Sequence, residues 1–421
     1  MACNRALALT FITIFLKAPT ALLAQPHAPG GDWPGWRGID RTGVSIETGL
    51  LKEWPEGGPK LVWKATGLGG GYATPSVSGG RVFLLGSKAD EEFLHAVDVN
   101  DGQRLWSIRV GKVGENQGPN YPGPRSTPTV DGDLLYTLGS DGDLLCVAIG
   151  NGKILWQHHL EKEYEGNRAT WAYAESPLVD GELLICTPGG PSAALLALDK
   201  KNGRVVWKTP VEDGNQAGYA SVIVAETGGI KQYVQFIGSG VVGVAAKDGR
   251  LLWKYTGNVG GQSCATPIFH DGCIFSSASG VGTAGGDALL RLVADGPDVK
   301  AKQIYLVRSM CNHHGGVLRV GDYLYGSGGV GLVCMDFKTG ARKWQARSVG
   351  RGSLVAADGR LYVRGEQGQV ALVEATPEGY REKGRFRQPS RSQFKTFAHP
   401  IIAAGRLYLR DADVLLCYAL R

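Results

Sequence analysis

Short apolar runs separated by turn residues dominate the chain from about residue 59 onward. Runs such as RVFLLG, DLLYTLG, ELLICT and RLYVRG have the length and the composition of β-strands. Asp-Gly, Asn-Gly and related pairs stand between them, and these residues tolerate the positive φ of tight hairpin turns. After the first residues of the chain, no stretch has the apolar spacing of an amphipathic helix over ten positions. The pattern predicts an all-β protein built from antiparallel hairpins.

A Gly-x-x-x-Trp step closes every second hairpin and sets the period of the chain. The intervals between successive tryptophans are 43, 50, 51, 46 and 91 residues, so one tryptophan is missing from the last interval. Tyr305 takes its place, and Phe386 closes a further unit in the same way. Four antiparallel strands repeated every 40 to 50 residues or so are typical of β-propeller blades. The closing tryptophans are Trp63, Trp106, Trp156, Trp207, Trp253 and Trp344.

The two ends of the repeat region predict the number of blades. The last unit, His399 to Arg421, has three strands and lacks its tryptophan strand, whereas PKLVWKA at residues 59–65 is a tryptophan strand with no unit before it. Together the two fragments complete one blade, and seven whole units accompany it. We therefore expect an eight-bladed β-propeller of four-stranded blades, closed by the N-terminal strand, which leaves no open sheet edge between the first and last blades.

The residues before the propeller divide into two predicted parts. Residues 1–24 have a positive Arg5, an apolar run from Ala6 to Leu16 and small residues at a cleavage zone, which together indicate a secretory signal. We expect the mature protein to be a monomer that is periplasmic or secreted and has no transmembrane segment. Residues 25–58 form an extension that we expect to pack on the outside of the propeller, and residues 59–421 form the propeller itself.

Charge and cysteine content exclude several classes of function. The net charge of +6 is too small to suggest nucleic-acid binding. Cys146, Cys334 and Cys417 occupy equivalent places in three repeats, and hairpin register puts Cys273 opposite His270 rather than opposite Cys264. Free buried thiols are therefore the preferred interpretation. The sequence has neither the C-x-x-C-H motif of a covalent haem nor the ligand spacing of a zinc site, so no metal is predicted.

Several repeats resemble the pyrroloquinoline-quinone (PQQ) repeat. The segments AVDVNDGQRLW, VAIGNGKILW, ALDKKNGRVVW and CMDFKTGARKW are similar to its docking motif, whose consensus is close to A-x-D-x-x-T-G-K-x-x-W. The resemblance implies that each tryptophan packs onto the neighbouring blade as part of the core. Some members of the family are dehydrogenases that carry PQQ and calcium in the central funnel, and others, such as the outer-membrane protein assembly propeller, bind no cofactor. The adjacent cysteines of many alcohol-oxidising members are missing here, so no cofactor is expected, with PQQ and calcium as the alternative.

Blade geometry predicts which residues meet at the channel mouth. Loops from the fourth strand of one blade to the first strand of the next share one rim with the second-to-third loops, and both hairpin turns lie on the other rim. The residues near the start of each first strand combine cationic, aromatic and titratable side chains, which suit anions, sugar rings and acid–base chemistry. These candidates are Tyr72, Arg125, Trp171, Glu175, Tyr219, His313, His314, Arg351 and His399.

Two further motifs are set aside. Gly280 to Gly285 matches the dinucleotide fingerprint G-x-G-x-x-G, but the residues after it read as a strand, whereas that fingerprint needs a helix to receive the pyrophosphate. His158 and His159 follow a closing tryptophan on an outer strand, where we interpret them as an incidental surface pair.

Two classes of function remain open. The preferred one is an exported binding or scaffolding module that takes a protein or glycan ligand on the loop-rich rim. The alternative is an enzyme that uses the polar channel mouth, either a divergent quinoprotein dehydrogenase or a carbohydrate-active protein.

Overall fold

The computed structural model describes Met1 and residues 31–116, 121–214, 216–260, 262–280, 285–329 and 331–421. Most of the predicted signal at residues 1–24 and the centre of the Gly280–Gly285 motif lie outside the described residues. Within the described part, the chain forms eight sheets of antiparallel strands arranged as propeller blades. One helical turn, Leu160–Tyr164, accompanies them. The predicted all-β, eight-bladed architecture is confirmed.

The first four blades follow one another along the chain, each with its strands ordered from the channel outward. Blade 1 consists of Ser76–Ser78, Arg81–Lys88, Glu91–Asp98 and Arg104–Lys112. Blade 2 consists of Thr129–Asp131, Leu134–Leu138, Asp143–Ala148 and Ile154–His159. Blade 3 consists of Leu178–Asp180, Leu183–Cys186, Leu195–Asp199 and Val205–Thr209. Blade 4 consists of Ile223–Thr227, Ile230–Ile237, Gly240–Ala245 and Leu251–Tyr255.

The remaining blades complete the ring. Blade 5 consists of Ile268–His270, Cys273–Ala278, Gly286–Asp295 and Asp298–Val307. Blade 6 consists of Val317–Val320, Tyr323–Gly328, Gly331–Asp336 and Arg342–Ala346. Blade 7 consists of Gly352–Ala357, Arg360–Gly365, Gln369–Glu374 and Glu382–Arg387. Blade 8 consists of Ile401–Ala403, Arg406–Asp411, Val414–Ala419 and, as its outermost strand, Leu61–Ala65.

The N-terminal strand closes the ring as predicted. Leu61–Ala65 pairs antiparallel with Val414–Ala419, with Trp63 opposite Cys417. The predicted register at Cys273 is also confirmed, because Cys273 pairs with His270. All seven cysteines in the described part of the chain are free thiols.

The closing tryptophans connect neighbouring blades. A β-bulge precedes Trp63 in its strand, and bulges recur at the equivalent place in the other blades. The indole N–H of Trp63 donates to the carbonyl of Val99 in blade 1 at 2.9 Å, and Trp106, Trp156, Trp207 and Trp344 donate to the following blade in the same way. Tyr305 donates its hydroxyl to Phe337 of blade 6, as its place in the period predicts.

Trp253 is the exception among these contacts. Its N–H donates at 2.7 Å to Gln232 in its own blade. The third strand of the following blade, Gly286–Asp295, is ten residues long, so its hairpin turn lies beyond the indole. The side chain still packs in a core that includes Leu290 and Leu292 of blade 5.

The extension before the propeller does not pack only on the outside, and this corrects the sequence-based expectation. Residues 33–43, which we call the plug, enter the central channel from the rim that carries the hairpin turns. The plug contacts all eight blades, through partners at or just before their first strands. These partners are Val77, Val130, Ser176, Pro177, Val222, Thr266, Val317, Ala356 and His399.

The second half of the extension leaves the channel beside blades 7 and 8. Val44–Ser45 adds a parallel strand to Gly352–Ala357. The backbone N–H of Leu50 then donates to Asp358 at 3.0 Å, and Trp54 lies against Phe386 with ring centroids 5.3 Å apart. The extension was misjudged because its partners are far away along the chain and its sequence carries no repeat.

Candidate functional site

The loop-rich rim surrounds a cavity of about 270 Å³, which we call the cup. Its walls come from the loops that lead into the first strands, and the plug closes it from below. Aromatic side chains, cations and histidines make up most of the lining. The lining residues are Trp36, Tyr72, Thr74, Tyr121, Arg125, Trp171, Ala174, Tyr219, Gln262, Cys264, His313, His314, Arg351, Glu366, Lys395, Phe397 and His399.

Eight of the nine candidates from the sequence line this one cavity. They are Tyr72, Arg125, Trp171, Tyr219, His313, His314, Arg351 and His399. These residues are up to hundreds of positions apart, and they meet because every blade delivers the same point of its repeat to the same rim.

Glu175 is the candidate that the structure does not bring to the cup. Its neighbour Ala174 lines the cavity, and since successive side chains of an extended segment alternate, Glu175 points away. Its carboxylate accepts hydrogen bonds from the backbone N–H of Thr187 and from Gln235, the latter at 3.1 Å. Burial raises the pKa of Glu175 to about 7. The side chain is therefore part of the packing between blades 3 and 4.

Trp36 is the cup residue that repeat-based reasoning missed. It belongs to the plug, and its N–H donates to the hydroxyl of Thr266 in blade 5 at 2.8 Å. Its ring lies 4.7 Å from that of His399, across the channel in blade 8. No repeat signal marks this residue, because the plug lies outside the blade pattern.

The other missed residues lie in loops that had been assigned to this rim. Tyr121, Lys395 and Phe397 belong to two of the long connecting loops, and Glu366 lies in the second-to-third loop of blade 7. Their signal was the assignment of these loops to the rim, from which only one or two positions in each connecting loop were taken as candidates. The remaining lining residues missed in this way are Thr74, Ala174, Gln262 and Cys264.

Arg125 is a cation that forms no ion pair with a described residue, although the buried carboxyl of Glu92 interacts with its charge at longer range. Its guanidinium donates to the carbonyls of Gly123 at 2.9 Å and Tyr121 at 2.5 Å, and it lies 5.4 Å from the centre of the Tyr72 ring. Its other described partner is the amide oxygen of Asn116 at 3.5 Å, and among the described residues no carboxylate lies within ion-pair distance of it. Burial lowers the pKa of Arg125.

Glu366 supplies the one carboxylate of the described lining, and two cations neutralise it. Arg351 lies 2.8 Å and Lys395 lies 3.2 Å from its oxygens. With Arg125 counted, three cations face one carboxylate, so the cup has an excess of positive charge.

The three histidines are uncharged at neutral pH. The Nδ1 atoms of His313 and His314 lie 2.9 Å apart, and the Nε2–H of His399 donates to the carbonyl of His314 at 3.0 Å. Burial lowers the pKa of His399 to about 4, and it also lowers the pKa values of His313 and His314. The sequence suggested that these side chains titrate near neutral pH. Burial instead moves their pKa values further below neutrality.

Among the described lining residues, two polar atoms are buried behind the surface of the cup without a hydrogen-bond partner. They are the indole Nε1 of Trp171 and the Nε2 of His314. Trp171 packs against Tyr219 with ring centroids 5.9 Å apart, and Phe397 packs against Tyr72 at 5.1 Å. The cup therefore combines aromatic faces with an excess of cations.

One group of potential metal ligands in the described chain lies outside the cup. Asp141, Asp143 and His159 bring their ligand atoms within 4.8 Å of one another. However, Arg168 already pairs with Asp141 at 2.8 Å. The side chains of His158 and His159 are only 21% and 12% exposed, so the two histidines do not form the exposed surface pair that the sequence predicted.

Comparison with known proteins finds relatives of two kinds. A family model described as "Outer membrane protein assembly factor BamB" matches residues 44–174, 166–345 and 326–419. The BamB protein of Moranella endobia is 21% identical over 253 residues, which cover 56% of this chain and 56% of that protein. The quinoprotein alcohol dehydrogenase PedH of Pseudomonas putida is 25% identical over 154 residues, which cover 36% of this chain and 24% of that protein. The chain thus spans about half of one relative and a quarter of the other.

Solved structures share the fold. The quinohemoprotein alcohol dehydrogenase from Comamonas testosteroni superposes with a TM-score of 0.63 at 12% identity, covering 93% of this chain and 81% of that one. A europium-containing methanol dehydrogenase superposes with a TM-score of 0.53 at 12% identity, covering 90% and 89%. No described helix has the length and apolar character needed to cross a membrane.

Proposed function

The chain belongs to the β-propeller family described as outer membrane protein assembly factor BamB, and we propose that it is a binding module that holds a small ring-shaped molecule in the cup. The observation that carries the proposal is the concave cavity of about 270 Å³, which is open at the rim, lined by aromatic and polar side chains and closed below by Trp36. Small-molecule sites are concave, mostly apolar and equipped with a few convergent polar groups. This cup has each of these properties.

The size of the cup favours a small ligand over a protein partner inside it. A stable protein interface buries roughly 800 Å² on each partner over a broad patch. A cavity of about 270 Å³ instead accommodates one or two rings. A protein partner of the kind implied by the family description would bind the outer faces of the rim, and the cup would remain available.

The place of action is part of the proposal. The predicted signal at residues 1–24 and the outer-membrane name of the family both favour the periplasm or the cell exterior. Fractionation of cells that express the full-length chain tests this. Recovery in the cytoplasmic fraction with the first 24 residues still attached would contradict it.

The residues of the cup do not fit the quinone and metal pair of the dehydrogenase relatives. Calcium and similar hard ions require several oxygen ligands, with carboxylates prominent among them. Glu366 is the one carboxylate of the described lining, and Arg351 and Lys395 already occupy its two oxygens. We therefore derive no redox step and favour binding over catalysis.

A thermal-shift experiment tests the binding module. The panel contains neutral sugars, uronic acids, aromatic acids and PQQ with calcium. We expect at least one compound to raise the unfolding temperature of the wild-type protein and to leave the double variant His313→Ala/His314→Ala unshifted, because both side chains line the cup. His270→Ala is the matched control, since His270 lies at a hairpin turn on the opposite rim and should keep the full shift.

Two results would contradict the binding module. One is an equal shift in the wild-type protein and the double variant, which would place the ligand elsewhere. The other is a wild-type protein that no compound of the panel shifts.

A further inference from the structure

We infer that the ligand of the cup is an acidic sugar, a pyranose ring that carries a carboxylate or a sulfate. This inference rests on the proposed binding function and names its ligand class. Three independent features of the lining support it: a cation outside any ion pair, partly exposed polar side chains and paired aromatic faces.

The cation requires an anion. Arg125 is held by the carbonyls of Gly123 and Tyr121 and by the face of Tyr72, and these groups fix its position without neutralising its charge. The guanidinium fork matches the geometry of carboxylate and sulfate oxygens. Arg351 and Lys395 share Glu366 between them, so their cluster also keeps a net positive charge. An anionic group on the ligand would neutralise this excess.

Polar side chains of the lining suit hydroxyl groups. Tyr219, Gln262 and His313 line the cup and are only partly buried. A phenol hydroxyl, a carboxamide and an imidazole can each form a hydrogen bond with a hydroxyl group. A sugar presents several hydroxyls around one ring and can therefore pair with several such groups at once.

The aromatic faces accommodate a ring with apolar C–H surfaces. Trp171 with Tyr219 and Tyr72 with Phe397 form two inclined pairs in the lining, and Trp36 closes the floor. An aromatic acid would also pack here, but it has no ring hydroxyls to pair with Tyr219, Gln262 and His313. The combination of these polar groups with a cation therefore favours an acidic sugar over an aromatic acid.

Calorimetric titration of the full-length mature protein tests the ligand class. The probes are D-glucuronate, D-galacturonate and D-galactose 6-sulfate, with D-glucose and D-galactose as neutral counterparts and with benzoate and PQQ as aromatic anions. We expect at least one acidic sugar to bind tenfold or more tightly than its neutral counterpart. The carboxylate and sulfate probes then distinguish which anion the site prefers, and added salt should weaken binding.

Two variants assign the effect to its side chains. Arg125→Met should reduce the preference for the acidic sugar to less than threefold, whereas Arg291→Met, an exposed arginine on an outer blade surface, should leave it unchanged. Trp171→Ala removes one aromatic face of the lining, so it should weaken acidic and neutral sugars by the same factor. Circular dichroism confirms that each variant is folded.

The outcomes separate this inference from the proposed function. Equal affinity for acidic and neutral sugars, or a preference that survives Arg125→Met, would overturn the acidic sugar and leave the binding module intact. Binding of benzoate or PQQ without binding of any sugar would do the same. Failure of every probe, together with a thermal-shift panel without response, would overturn both.

Discussion

Two fully buried arginines hold the walls of the cup. Arg410 donates to the carbonyls of Ala73 at 2.9 Å and Gly70 at 3.1 Å, on either side of Tyr72. Arg364 donates to the carbonyl of Ala398 at 3.2 Å, next to His399. Charged donors make stronger hydrogen bonds than neutral ones, and burial keeps water from competing for the carbonyls. The loops that carry the cup residues are therefore positioned from behind by single side chains.

A buried glutamate near Arg125 makes stability depend on pH. Burial raises the pKa of Glu92 to about 7, although Ser140 donates to its carboxylate through its backbone N–H at 2.9 Å and through its hydroxyl. The folded protein therefore holds a proton on Glu92 between about pH 4.5 and 7 that the unfolded chain releases. The contribution of Glu92 to stability is greatest at acidic pH and is lost as the pH rises through this window.

Glu92→Gln should remove this dependence. The glutamine oxygen still accepts from the Ser140 N–H, and its amide can donate to the Ser140 hydroxyl. We expect the variant to gain about 3 kcal/mol relative to the wild-type protein between pH 4.5 and pH 8, measured by denaturant unfolding at each pH. Parallel stability curves for Glu92→Gln and wild type would contradict the raised pKa.

At the scale of elements, the outer strand and the following hairpin turn act as one docking unit. The glycine of the turn has positive φ and sits directly on the tryptophan of the preceding blade. For Gly102 the φ is +75°, and an added Cβ would lie 2.7 Å from the Trp63 ring. The Gly-x-x-x-Trp step therefore contributes to two contacts between blades. Its glycine packs against the tryptophan of the preceding blade, and its own tryptophan packs against the following blade.

Gly102→Ala separates this contact from backbone strain. Gly132 also has positive φ, at +57°, but an added Cβ there would meet nothing within 4 Å. Both alanine variants incur the cost of the left-handed backbone, roughly 1 kcal/mol, and only Gly102→Ala also displaces a buried indole. We expect Gly102→Ala to lose about 1–3 kcal/mol more unfolding free energy than Gly132→Ala. Equal losses would mean that the indole contact is not tight.

The sequence predicted the blades well because their determinants are local. Turn pairs, strand runs and the tryptophan period each lie within one repeat, and even the replacement of tryptophan by Tyr305 followed from spacing. The cup candidates followed from blade geometry, which delivers equivalent positions to one rim. Glu175 was misplaced by one residue, which is enough to reverse the direction of a side chain in extended backbone.

At the scale of the whole molecule, the plug is the feature that local patterns could not reveal. Trp36, Arg37 and Arg41 gain their partners only when all eight blades surround the channel. Arg37 donates to the carbonyl of Val317 in blade 6 at 2.5 Å, and Arg41 donates to that of Val222 in blade 4 at 2.9 Å. The plug thus connects blades from within the channel. The strand that follows it in blade 8, Leu61–Ala65, closes the ring by pairing with Val414–Ala419.

Arg41→Met tests whether the plug and the cup act as one unit. The substitution removes donors to Ser176, Pro177 and Val222, which belong to two blades, and it leaves their carbonyls without this partner. We expect the free energy of local opening to fall by roughly 2 kcal/mol, so that hydrogen exchange in peptides covering residues 33–43 becomes about 30-fold faster. Because the plug supplies Trp36, ligand affinity at the cup should fall with it.

Arg250→Met is the matched control, since Arg250 forms an exposed ion pair with Asp298 on the outer surface and should alter neither quantity. Unchanged exchange in residues 33–43 of the Arg41→Met protein would mean that the blades hold the plug without this anchor. Faster exchange with full ligand affinity would mean that the floor of the cup is independent of the anchor. Faster exchange in the plug together with weaker ligand binding, in a protein whose propeller is still folded, would mean that the plug connects the ring of blades to the binding site.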